Sequence, residues 1–191
     1  MLRVGVLVSG RGTNLQALLD HQDDAYGVAL VCSNRDGAPA LERARRAGVE
    51  ARVFEGRAVQ AEMGRALANA DVGLVVLAGF DRILDPAFFA ALGDVPIVST
   101  HPSLLPKFGG RGMIGRAVHA AVLAAGEHET GCTIFRTRPD ALDEGEVLSR
   151  VRVPVLAGDT PETLETRVLD AEHAALVGVV RRLARNAAAR L

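Results

Sequence analysis

Leu2-Arg3-Val4-Gly5-Val6-Leu7-Val8-Ser9-Gly10-Arg11-Gly12-Thr13-Asn14-Leu15 is the stretch that decides the fold class. Its apolar run, Leu2 to Val8, stops at a turn of small and polar residues. Leu15, Leu18 and Leu19 then recur on one side of a helical pattern. A buried strand feeding a helix through a glycine-rich turn is the first half of a βα crossover. Such a turn is either an ordinary bend or an anion cradle, because free backbone N–H groups and a helix N-terminus favour phosphate. Its place at the first crossover favours the cradle. It lacks the Gly-Lys-Ser/Thr end of a nucleoside triphosphate loop and the third glycine of a dinucleotide fingerprint, so a monophosphate fits best.

The same alternation continues along the chain. Strands are expected at Val28 to Cys32, Ala51 to Phe54, Val72 to Ala78 and Pro96 to Thr100. Helices are expected over Ala38 to Ala47, Ala61 to Ala70 and after Pro86. The order β-α-β-α-β-α-β-α-β predicts an α/β fold, an open and mostly parallel twisted sheet flanked by helices. After His101 the pattern changes. Thr130 to Phe135 and Glu146 to Val153 read as two late strands joined by a charged loop. Val147, Arg150 and Arg152 give the second of these one wet face. Thr160 then caps a long C-terminal helix with Pro161 at its first position.

A chain of 191 residues suits one well-filled core, so residues 1–191 read as a single domain. Residues 1–100 form its phosphate-binding βα half. A net charge of −1 gives no general attraction to nucleic acid or to an anionic membrane, so any anion site must be local. Cys32 and Cys132 lie in apolar runs and read as buried free thiols. The N-terminal apolar run is too short for a signal peptide, and no run approaches the roughly 18 apolar residues of a membrane span. A cytoplasmic protein is expected. The five histidines show no metal-ligand spacing, and no metal is expected.

In open α/β sheets, ligands bind beyond the carboxyl ends of the strands. Three segments fall there: Ser9 to Asn14, Ala78 to Leu84, and Ser99 to Pro106. In the third, His101 ends a buried strand and is stiffened by Pro102, which suits a group that exchanges a proton near neutral pH. In the second, Asp81 and Arg82 could be a solvated pair and Ile83 and Leu84 core. Asp143, in an acid-rich loop from Asp140 to Glu146, is either a solvated turn residue or a carboxylate partner for His101. On a helical wheel the apolar positions of the last helix span roughly 20° to 160°, and Glu172 falls at about 80°. A carboxylate there needs either a structural partner or a ligand. Glu165 shares that sector but lies in the first turn, nearer solvent. His119, alone on a helical stretch, reads as a packing or surface residue.

Together these segments resemble the phosphoribosylglycinamide formyltransferases of purine biosynthesis, over nearly the whole chain. The matching pieces are residues 9–16, Leu77 to Leu84, His101 to Lys107, Leu142 to Gly145, and Glu172-His173. Gly109 to Val122 resembles a variant of that family's loop after the active site. The resemblance implies transfer of the formyl group of 10-formyltetrahydrofolate to a glycinamide amine. It makes residues 101–191 the folate and catalytic half. It gives His101 the role of general acid, with Asp143 keeping the imidazole protonated. Backbone groups of Gly10, Arg11, Gly12 and Thr13 would hold the substrate phosphate, beside Pro102, and Glu172 would meet the ribose or glycinamide end. Arg82, Ile83 and Leu84 would border the folate, with Arg57 matching an arginine that contacts it. The implied partners are these small molecules alone, on a monomer or homodimer.

Two positions depart from the family pattern. Ser99 stands where an asparagine usually supplies an amide to the oxyanion, and Phe135 stands where a histidine is common. These changes motivate a second reading, a catalytically weakened folate- or nucleotide-binding paralogue. A formyltetrahydrofolate hydrolase is a third, although such hydrolases carry an N-terminal regulatory domain and the phosphate turn here begins within ten residues of Met1. A methionyl-tRNA formyltransferase would need an RNA-binding extension and a basic surface, and neither is visible.

Overall fold

The computed structural model describes residues 1–56, 59–139 and 143–189. Its elements are β1 (Leu2–Val8), α1 (Thr13–Asp20), β2 (Tyr26–Ser33), α2 (Pro39–Arg46), β3 (Glu50–Val53), α3 (Gln60–Asn69) and β4 (Leu74–Leu77). There follow α4 (Pro86–Leu92), β5 (Ile97–His101), α5 (Arg116–Ala124), β6 (Glu129–Thr137), β7 (Gly145–Pro154) and α6 (Pro161–Ala188). One seven-stranded sheet runs in the order β3-β2-β1-β4-β5-β6-β7. The first five strands are parallel. β6 is antiparallel to β5, and β7 to β6. The expected α/β class and the late hairpin are both present.

Alternation along β1 sets the layers. Val4, Val6 and Val8 join Leu15 and Leu18 of α1, Ala40 of α2 and Leu176 and Val180 of α6 in one core. Leu7 points into the opposite core, with Met63 and Leu67 of α3 and Phe88 of α4. Both faces of the central strands are thus covered, which is why they read as continuous apolar runs. Gly5 lets α3 approach the sheet, since a Cβ there would lie 2.4 Å from Leu67 Cδ2. A third cluster seats α5 and α6 on the hairpin through Val122, Cys132, Val153, Leu164 and Val168. Cys32 and Cys132 are free and buried, and burial pushes each thiol up to about 12.

Strand order reverses between β1 and β4, because β2 and β3 wind to one side of β1 and β4 and β5 to the other. That switch opens a crevice at the carboxyl ends of β1 and β4, where the first two predicted turns lie. Boundaries differ from the apolar pattern at several strand ends, β4 and the late strands among them. Val72 and Gly73 precede β4: Val72 is buried, and Gly73 N–H donates to Arg3 O at 2.9 Å outside the ladder. The late strands run longer than expected, and the added ladder carries charged positions such as Glu129 and Arg136 that show no apolar signal. Thr160 caps α6 reciprocally with Thr163, with Pro161 at the first position as expected. No helix of the described residues is long and apolar enough to cross a membrane.

Candidate active site

The turn after β1 is fixed mostly by backbone. Ser9 N–H donates to Gly79 O at 3.2 Å, and Ser9 Oγ accepts from Asp81 N at 2.9 Å, which joins the first two turns. Ala40 N–H donates to Gly10 O at 3.1 Å, and Arg43 Nε to Arg11 O at 2.8 Å. Gly12 takes a φ of 71° and precedes α1, and no side chain caps that helix end. The donors at its start therefore face the cleft with no side chain of their own to satisfy them.

A cleft of about 600 Å³ runs from this turn past the ends of β4 and β5. Its lining includes Gly10, Arg11, Gly12 and Thr13 at one end and Ser99, His101, Pro102, Phe135 and Asp143 at the other. Phe80, Ile83, Leu84 and Phe89 form an apolar wall, with Arg82 among them. Ile83, expected either at the rim or in the core, is 60% exposed, while Leu84 is buried. Asp81 and Arg82 do not pair with each other. Asp81 accepts from Asn34 and Arg35, and Arg82 Nη1 donates to Gly56 O at 2.9 Å. Arg57 lies outside the described residues.

His101 is the last residue of β5, opposite Thr133 of β6, and is buried. The segment after Pro102 is tied down from β6 and from within. Thr133 Oγ1 donates to Ser103 O at 2.7 Å and accepts from Leu105 N at 3.1 Å, and Ser103 Oγ donates to Lys107 O at 2.6 Å. His101 Nε2–H donates to Phe108 O at 2.8 Å. A carbonyl only accepts, so that nitrogen bears a hydrogen and Nδ1 is the one left for a ligand. Asp143 Oδ1 lies 3.6 Å from Nδ1, and Asp143 Oδ2 accepts from Gly110 N at 2.8 Å. The carboxylate is thus held beside the imidazole, where it can balance a positive ring. Ser99 and Phe135 are direct cross-strand partners, so the two positions singled out by the sequence reading sit side by side.

Glu172 resolves the puzzle of an acid on an apolar stripe. It is 3% exposed and lines the cleft, and its Oε1 accepts from Asn14 Nδ2 at 2.5 Å and from Thr100 Oγ1 at 2.8 Å. The partners are hydrogen-bond donors and not a structural salt bridge. Burial pushes its carboxyl above the ordinary carboxylate range, and the two hydrogen bonds oppose that rise. Glu165 is also buried, against the expectation of a solvated first turn, because Arg11 and Arg116 both donate to it. His119, expected as a packing or a surface residue, is a buried one. It is 1% exposed, lines the same cleft, and has an Nδ1 with no partner among the described residues. Burial holds its imidazole below the ordinary range, against a smaller opposing pull from Glu165. Val118, His119 and Val122 share one buried face of α5, and that spacing is the sequence signal that marks it.

A switch-point cleft with an uncapped helix start at one end and a histidine–carboxylate pair at the other is the layout of a ligand-binding α/β protein with groups suited to acid–base chemistry. Residues 2–180 match the formyl transferase family, and the chain belongs to it. It is 38% identical to the phosphoribosylglycinamide formyltransferase of Escherichia coli strain K12, over 91% of this chain and 82% of that relative. It is 41% identical to the trifunctional purine biosynthetic protein adenosine-3 of Drosophila pseudoobscura pseudoobscura, covering 99% of this chain but spanning only 14% of that relative. The solved glycinamide ribonucleotide transformylase 1 from Symbiobacterium toebii superposes with a TM-score of 0.89 at 38% identity, covering 97% of this chain and 89% of that one.

Proposed function

We propose that this chain transfers the formyl group of 10-formyltetrahydrofolate to the amine of 5'-phosphoribosylglycinamide. The observation that carries the reading is the shared cleft, with an uncapped helix start at one end and His101 beside Asp143 at the other. Backbone groups of Gly10 to Thr13 hold the phosphate. Glu172, between Asn14 and Thr100, faces the ribose or glycinamide portion. The apolar wall of Phe80, Ile83, Leu84 and Phe89 suits a flat pterin, with Arg82 at its border. Residues 1–100 thus bring the phosphate and residues 101–191 the chemistry.

The amine nitrogen attacks the formyl carbon, and the carbonyl electron pair moves to oxygen. His101 Nδ1 donates to that oxyanion, and the Asp143 carboxylate balances the positive ring. Collapse of the intermediate breaks the bond to folate N10, which takes up a proton as the attacking nitrogen loses one. Ser99 Oγ is the further donor at this end, shorter in reach than an amide.

The test is a formyl-transfer assay of the purified protein with both substrates, beside His101→Ala. Turnover is expected to fall by about 10²–10⁴ in the variant, the usual contribution of a positioned acid. Binding of both ligands without turnover in the wild type would instead establish the weakened binder, which the Ser99–Phe135 pair favours. Formate release independent of the amine would establish the hydrolase.

A further inference from the structure

The cleft that is to receive a phosphate dianion also carries a carboxylate, Glu165. An ionised acid there repels the ligand unless something neutralises it. Two arginines do so. Arg11, from the phosphate turn, donates through Nη2 to Glu165 Oε1, and Arg116, the first residue of α5, donates through Nε to Oε2 at 3.2 Å. The two partners differ in what else they hold. Arg116 also pairs with Glu162 at 2.9 Å, so it stays on α6 whatever Arg11 does. The Arg11 side chain has no second acid among the described residues, and it is 64% exposed. Its backbone is pinned by Arg43, so the guanidinium can swing while the turn stays put.

We propose that Arg11 exchanges partners on binding: Glu165 holds its guanidinium in the free protein, and the substrate phosphate takes it in the complex. Glu165 is a stand-in anion, and Arg116 keeps that carboxylate paired once Arg11 leaves. The exchange makes Arg11 a substrate-binding residue through its side chain as well as its backbone. It selects a phosphorylated amine over an unphosphorylated one, since a neutral group cannot draw Arg11 off Glu165. The inference rests on the phosphate reading of the turn.

Inorganic phosphate is the probe, titrated into the full chain by calorimetry or by amide NMR shifts. Arg11→Gln should weaken it about tenfold, the size of a charge-assisted hydrogen bond. Glu165→Gln should tighten it about two- to fivefold, because the competing pair is open to solvent on the Arg11 side and of modest strength. In the Arg11→Gln background that gain should vanish. Arg116→Gln leaves Glu165 with Arg11 alone and should weaken phosphate, the opposite sign, up to about twofold. Thermal melts confirm that each variant is folded. An unchanged or weaker affinity in Glu165→Gln overturns the exchange, as does an equal gain with Arg11 absent, which would mark simple repulsion by Glu165. Phosphate that fails to bind the wild type overturns the reading of the turn itself.

Discussion

The turn at Ser9–Asn14 and the loop from His101 to Gly110 line one cleft but are held by different kinds of bond. The turn is gripped through its backbone: Gly79, Ala40 and Arg43 all bond to main-chain atoms of residues 9–11, and Gly12 is wedged against α2. The His101 loop is held largely through side chains, by Thr133, Ser103 and Asp143. The fold of the phosphate turn should therefore tolerate changes of side-chain chemistry but not of backbone space. The reacting end should tolerate modest changes of shape but not the loss of a polar group.

Gly12→Ala is the strongest way to break that contrast. A Cβ at Gly12 would lie 2.5 Å from Ala40 Cβ and 2.8 Å from Ala40 Cα, on a backbone with φ of 71°. Left-handed strain and overpacking each cost about 1–3 kcal/mol. A Tm lower by roughly 5–15 °C is expected, at about 2–4 °C per kcal/mol for this length. Phosphate affinity should go with it. Gly10→Ala, in the same turn, has nothing within 4 Å of the added carbon and should leave Tm nearly unchanged. Equal melting of the two variants would mean that the turn is not sterically locked.

Glu172 joins the two ends, through Asn14 on one side and Thr100 on the other. Burial raises its pKa from the ordinary 4.5, so above that value the folded state binds more protons than the unfolded chain. Its stabilising contribution is full below about 4.5, and stability is lost as pH rises through the raised value. Glu172→Gln removes that loss while keeping an oxygen for both donors. Its Tm should exceed the wild type by about 2–4 °C near pH 8, with the gap closing toward pH 4, while turnover falls. A gap that does not change with pH would show that the carboxylate carries no buried charge in the folded protein.

How far these features could be read from sequence follows the same division. The strand-turn-helix at Leu2–Leu15 and the isolated acid at Glu172 were legible, because period and position alone mark them. The partners of Glu172 were not, since Asn14 and Thr100 are distant from it in sequence and reach it only when α6 packs across the β1–α1 turn and β5. Glu165 misled for a related reason: a first-turn acid is usually solvated, and only the fold brings Arg11, 154 positions away, onto it. His119, taken alone, reads as either packing or surface, although its spacing with Val118 and Val122 puts the three on the buried face of α5. Asp143 was named, and its distance from His101 had to come from the structure.

Ser99→Asn has the smallest expected effect and sharpens the reacting end most. Loss of an oxyanion donor costs about 10²–10³ in rate, and a serine hydroxyl retains part of that donor's function. An amide reaches farther than Oγ toward the cleft, so kcat should rise several-fold while KM for the phosphorylated amine stays put, since the phosphate end is untouched. The cross-strand register adds a condition. Phe135, 2% exposed, faces position 99 directly and offers an amide no hydrogen bond. Leaving one end of the new amide unpaired beside the ring would blunt the gain. Ser99→Asn with Phe135→His should therefore exceed the sum of the two single changes in ΔG‡, the coupling expected of residues in contact. Steady-state kcat of the four proteins measures it. Strict additivity would show that Ser99 and Phe135, though paired in the sheet, act on the reaction separately. An unchanged kcat in Ser99→Asn alone would show that another group already serves the oxyanion.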